Sequence, residues 1–188
     1  EFKNFSKIIK FLDQNPDVAA LRPSVGKQKN KKRANSFSRE DKIFEAGYDA
    51  IVNFSIWNSY ISGMIYNREK VLEQGFINRL EKNKLKFRHY PHIYLDMLIS
   101  AKCKVAQTST VTIIEGSPQI VENNGLPQND DDSVNYNGPY TLGSRMDQFI
   151  VERDGLFEAT SLVSEEFNND IFFNAYLQLC VRFIRNIL

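Results

Sequence analysis

The 188-residue chain is expected to be an α+β protein, with N-terminal helices packed on one face of a curved, mostly antiparallel sheet. Three observations lead to that class. Apolar side chains recur at helical spacing near the start, at Phe2, Phe5, Ile8, Ile9 and Leu12. Ile93, Leu95, Met97, Ile99, Ala101, Cys103 and Val105 then alternate with polar neighbours without a break. Ile171, Phe173, Ala175, Leu177, Leu179, Val181 and Phe183 alternate in the same way.

The elements follow in order. A helix over 2–14 ends at Asn15-Pro16. Residues 15–40 carry no sustained period and contain Pro23, Gly26 and a basic run, which predicts an exposed loop. Ser38 and Asp41 form a capping box for a short helix through Ile43, Phe44 and Gly47. Residues 50–66 fit strand and helix equally: Ala50, Val52, Phe54 and Ile56 alternate, while Trp57, Tyr60, Ile61 and Met64 suit a helix. Asn67 caps a helix over 68–82 with Leu72, Phe76 and Leu80 spaced by four. Strands are expected over 93–105 and around Val111, Ile113 and Ile114. The stretch 117–140, rich in Asn, Asp, Gly and Pro, is read as an insertion. Strands over 145–152 and 156–163 turn at Asp154-Gly155, and 170–183 is the last strand. No repeat of 20–50 residues is visible, so 1–188 is taken as a single domain with insertions at about 15–40 and 117–140. The chain opens at Glu1 without Met and is expected to be an excised fragment, Glu1-Phe2 being a cloning remnant.

Composition narrows the function. Lys and Arg number 24 against 23 Asp and Glu, a net charge of +1, which argues against a generally basic nucleic-acid coat but leaves room for a local patch. No apolar run approaches the ~20 residues that span a bilayer, so no membrane partner is expected. Cys103 and Cys180 are too few for a disulfide framework, and reduced thiols are the default. Two histidines without a CxxC pair offer no zinc spacing; no metal or cofactor is expected.

Several constellations invite a functional reading beside a plain one. Lys27, Lys29, Lys31, Lys32 and Arg33 suit a nuclear import signal or phosphate contacts to RNA, or else form a solvated loop. Arg33-Ala34-Asn35-Ser36 also fits a basophilic kinase site. Asp147 and Glu158 across a hairpin suggest a degenerate nuclease, with Thr160 where a lysine would stabilise attacking water. His89, His92, Tyr94 and Asp96, with Cys103 as a third ligand, suggest a proton-transfer or metal site; polar residues at a strand edge are the plainer account. The chain holds 14 Phe, 8 Tyr and one Trp. If 170–183 is a strand, its odd positions face the core and its even positions, including Phe172, Tyr176 and Arg182, face outward. With Trp57 they make the expected partner-binding surface, aromatic anchors among hydrogen-bonding groups.

Three segments carry a family resemblance: Phe76-Ile77-Asn78-Arg79-Leu80 with His89 and Ile93, Met146 to Val151, and Phe167 to Phe172. In them the chain resembles the nuclear transport factor 2-like superfamily, a cone of curved sheet capped by helices. It is most similar to the fungal mRNA-export receptor, its small partner subunit, and the domain joining a deubiquitinase to its cofactor. The resemblance implies a non-enzymatic scaffold that forms homo- or heterodimers through its sheet, binds hydrophobic peptide repeats, and works in nuclear transport or mRNA export. A nuclear or nucleocytoplasmic location goes with it. The alternatives are a cone-fold or nuclease-like enzyme, and RNA binding through the basic loop.

Overall fold

The structure is a computed structural model, and it describes residues 2–27, 40–57, 63–84, 86–87, 91–115, 142–163 and 169–187. The architecture is α+β. In chain order the elements are α1 (Phe2–Gln14), β1 (Val18–Lys27), β2 (Lys42–Phe44), α2 (Tyr48–Ala50), a π-helical turn (Ile51–Ser55), β3 (Ile65–Tyr66), α3 (Arg68–Glu73), α4 (Phe76–Lys82), α5 (Pro91–Lys102), β4 (Lys104–Glu115), α6 (Leu142–Val163) and α7 (Asn169–Ile187).

The four strands lie in the order β2-β4-β1-β3. β1 and β4 run parallel, from Val18 opposite Lys104 to Lys27 opposite Glu115. The two flanking pairings are antiparallel: β2 lies on β4 with Phe44 opposite Val105, and β3 lies on β1 with Leu21 opposite Ile65. The sheet is therefore open and mixed. β1 falls inside the loop expected over 15–40. Its residues 18–24 are all buried, so the period-two signal of a half-exposed strand is missing, as in strands covered on both faces. Pro23, which argued for a loop, sits where the register with β4 shifts, a place where a missing N–H is tolerated. Residues 42–44, expected in a short helix, form β2, and the helix begins at Tyr48.

α1 follows the expected bounds and lays Ile8, with Phe11 and Leu12 beside it, against Val18, Leu21 and Ala106. The helix expected over 68–82 is present as two. Asn67 caps α3 by accepting from the Lys70 amide at 3.2 Å, and Gly75, with φ of 68°, makes the left-handed break before α4.

The strands expected over 93–105, 145–152, 156–163 and 170–183 are corrected. The first is α5 up to Lys102, and strand geometry begins only at Lys104. The second and third are one continuous helix, α6, and the fourth is α7. α5 runs through the centre with Ile93, Tyr94, Asp96, Met97, Leu98, Ile99, Ser100 and Ala101 all buried. A helix covered on all sides has no polar face to mark a 3.6-residue period. At Asp154-Gly155 there is no turn; Gly155 lets α6 approach α5, and a Cβ there would lie 3.2 Å from the Met97 sulfur and 3.3 Å from the Tyr94 ring. The three segments that carry the family resemblance lie in helices wherever they are described: 76–80 in α4 with Ile93 in α5, 146–151 in α6, and 169–172 in α7. The insertion at 117–140 lies outside the described residues.

Candidate functional site

α6 and α7 run antiparallel, and aromatic rings fill their seam. Phe149 stands 4.6 Å from Phe183 and 6.1 Å from Tyr176 between ring centroids, while Phe157 meets Phe172 edge-on at 5.6 Å. Ala175 and Leu179 are fully buried against Ile51, Ile56, Leu156 and Ala159. Inside the same seam the Arg182 guanidinium donates to Glu152 at 2.9 Å and to the Ile56 carbonyl.

The opposite side of α7 is also apolar. Phe173, Leu177, Val181 and Ile184 recur at i, i+4, i+8 and i+11 and are exposed at 58%, 45%, 41% and 54%. Between Ile171 and Arg185 the exposed polar side chains are Asn174, Gln178 and Arg185, which share one narrow strip. α7 is thus apolar around about three quarters of its circumference, yet α6 and the π-helical turn cover only part of it. α6 adds exposed Met146, Ile150 and Phe157 at i, i+4 and i+11. In an antiparallel pair these two stripes flank the seam on the same side, and Phe157 against Phe172 joins them. One face carries seven exposed large apolar side chains.

The residues singled out from sequence are distributed differently from expectation. Phe172 and Tyr176 are half-buried, stacked on each other at 5.9 Å and turned into the seam. Arg182 is buried in its ion pair. Helical geometry is the reason: on α7 the even and odd positions each contribute to both faces, so parity does not separate core from surface. Trp57 is at the surface, with the Arg185 guanidinium 5.8 Å from its ring. The stripe on α7 was missed because Phe173, Leu177 and Val181 were counted with the core-facing set; a wheel drawn at 100° per residue over 169–187 separates the two. Lys27 ends β1, while Lys29, Lys31, Lys32, Arg33 and the adjacent Ser36 lie outside the described residues.

Among the described residues, neither set of catalytic candidates comes together as expected, though Tyr94 of one meets Glu158 of the other. Asp147 and Glu158 lie on one helix eleven residues apart, ~16 Å along its axis, too far to share an ion. Thr160 hydrogen-bonds the Leu156 carbonyl at 2.9 Å. Glu158 accepts from the Tyr94 hydroxyl, whose pKa burial and that carboxylate raise, and it lies 3.5 Å from Lys86. Asp96 is buried and accepts from Tyr66 at 2.7 Å; burial, then the Asp96 charge, hold that phenol protonated. His92 is half-buried on α5, Cys103 is raised in pKa by burial, and His89 is outside the described residues. Among the described residues no group of three His, Cys, Asp or Glu side chains is placed to hold a metal, and no helix is long and apolar enough to cross a membrane. A polar cleft of about 540 Å³ lies between α4 and α6, lined by Asn78, Arg79, Lys82, Asn83, Glu158 and Ser161.

No protein-family model, curated protein or solved structure matches the chain.

Proposed function

We propose that the chain is a non-enzymatic protein-binding scaffold whose docking surface is the shared outer face of α6 and α7. One observation carries this reading: α7 has the composition of a helix covered on nearly all sides, while Phe173, Leu177, Val181 and Ile184 are open to solvent. Apolar faces of this extent, bordered by polar side chains, mark protein interaction sites. Of the residues the enzyme alternative relies on, Glu158 lines the polar cleft between α4 and α6, while Asp147, His92 and Asp96 are not among its lining residues. Nuclear transport, mRNA export and RNA binding rest on the family resemblance and on Lys27 to Arg33, not on this face.

Site-specific photo-crosslinking tests the reading. A benzophenone side chain at Leu177, in the stripe, should give strong protein adducts, and one at Gln178, in the polar strip, few. Equal yields from both positions would refute it. Leu177→Glu combined with Val181→Glu should abolish the adducts formed from position 173 while leaving unfolding stability within ~0.5 kcal/mol, because both side chains are exposed.

A further inference from the structure

Resting on that reading, we propose that the partner is a second copy of this chain, the two α7 helices lying antiparallel across a two-fold axis that passes through the apolar stripe beside Leu177. An isologous contact requires a surface complementary to itself. α7 has that property. Asp170 is the acidic residue of its first turn and Arg185 the basic residue of its last, and both are exposed. Their midpoint falls between Leu177 and Gln178, and the stripe from Phe173 to Ile184 is centred within about one residue of it. Turning one copy about that midpoint brings each Asp170 beside Arg185 of the other copy at both ends of the contact, with the apolar stripes facing each other between. Antiparallel helix dipoles favour the same arrangement.

The area is sufficient as well. Seven apolar side chains exposed at 41–58% present about 600 Å² per copy, the lower end of the ~600–1,000 Å² per partner of specific interfaces.

The experiment exploits the symmetry. In Asp170→Arg the two ends of a homodimer pair Arg with Arg, and in Arg185→Glu they pair Asp with Glu. An equimolar mixture of the two variants restores an opposite-charge pair at both ends. Molar mass from light scattering should show a wild-type dimer at about 10 μM, a dissociation constant raised ~10-fold or more in each variant alone, and recovery of the dimer on mixing. A wild-type monomer at about 100 μM, variants that dimerise like wild type, or a mixture no better than its components would each overturn the proposal. If the chain is monomeric while benzophenone at Leu177 still captures a different protein, the docking face stands and the second copy falls. If neither occurs, both fall.

Discussion

Arg182 of α7 lies 2.9 Å from Glu152 of α6, with side-chain exposures of only 5% and 4%, so the terminal helix pair is joined by an ion pair inside its own core. The pair is well supplied with further partners. Gln148 donates to the same carboxylate at 2.7 Å, and Arg182 reaches the carbonyl of Ile56 at the end of the π-helical turn. This one cluster fixes the rotation of α7 about its axis. It thereby decides which apolar residues enter the seam and which form the outer stripe.

Removing one partner should therefore cost far more than removing both. Arg182→Met leaves a buried carboxylate without its cation and is expected to destabilise the fold by ~3–5 kcal/mol. Glu152→Leu with Arg182→Met fills the same volume with apolar groups and should recover most of that loss. Urea midpoints at constant m-value measure both. A double variant as unstable as the single one would show that the carboxylate is satisfied by other groups.

Gly155 makes the second prediction. A Cβ there would press on the Met97 sulfur and on the Tyr94 ring, and Tyr94 is itself held by stacking on Phe87 at 3.8 Å. Gly155→Val should cost about 2 kcal/mol through overpacking between α5 and α6. Gly155→Ala should be nearly neutral, because a helix-propensity gain of ~1 kcal/mol offsets the tighter contact. Thermal or urea unfolding decides. A harmless valine would mean that the two helices separate without penalty.

The same glycine shows why the second half was misread. Asp-Gly between two apolar stretches is the usual sign of a hairpin, yet here the missing side chain serves helix-to-helix approach inside α6. Residues 93–101 alternate on paper because a buried helix can place almost any side chain anywhere; even Asp96 and Ser100 are inside, tied to Tyr66 and Ser55. On α7 an inward face and an outward stripe, both apolar, mimic period two. Length carried the missing information, since runs of thirteen or more residues exceed the ~5–6 residues of most strands. The N-terminal part was legible where amphipathicity or a cap was present, as in α1 and at Asn67. β1 was not, because burial on both faces erased its alternation. Of the site, only Trp57 was foreseen at the surface it occupies. Phe172, Tyr176 and Arg182, expected to face outward, lie on the inner side of α7.

His92 gives a pH dependence that separates from acid unfolding. It lies in the first turns of α5, half-buried, and burial lowers its pKa from 6.5. Above pH 6.5 the imidazole is neutral whether the chain is folded or not, and folding meets no proton-linked cost. Below 6.5 the unfolded chain takes up the proton more readily than the folded one, so stability falls as pH falls, until the folded imidazole titrates too. The slope for this single proton cannot exceed about 1.4 kcal/mol per pH unit. Asp41 belongs to a different window. Hydrogen bonds from the Ser109 amide and from Thr108 hold its carboxyl below 3.8, so its contribution is complete above that pH and is lost only as the pH drops through its folded value. His92→Gln, which has no charge to gain, should flatten the stability profile as the pH falls below 6.5 and leave the later decline from the carboxylates unchanged. Urea midpoints of both proteins at pH 7.5, 5.5 and 3.5 provide the comparison. Parallel profiles across the upper window would mean that the imidazole reaches solvent in the folded chain.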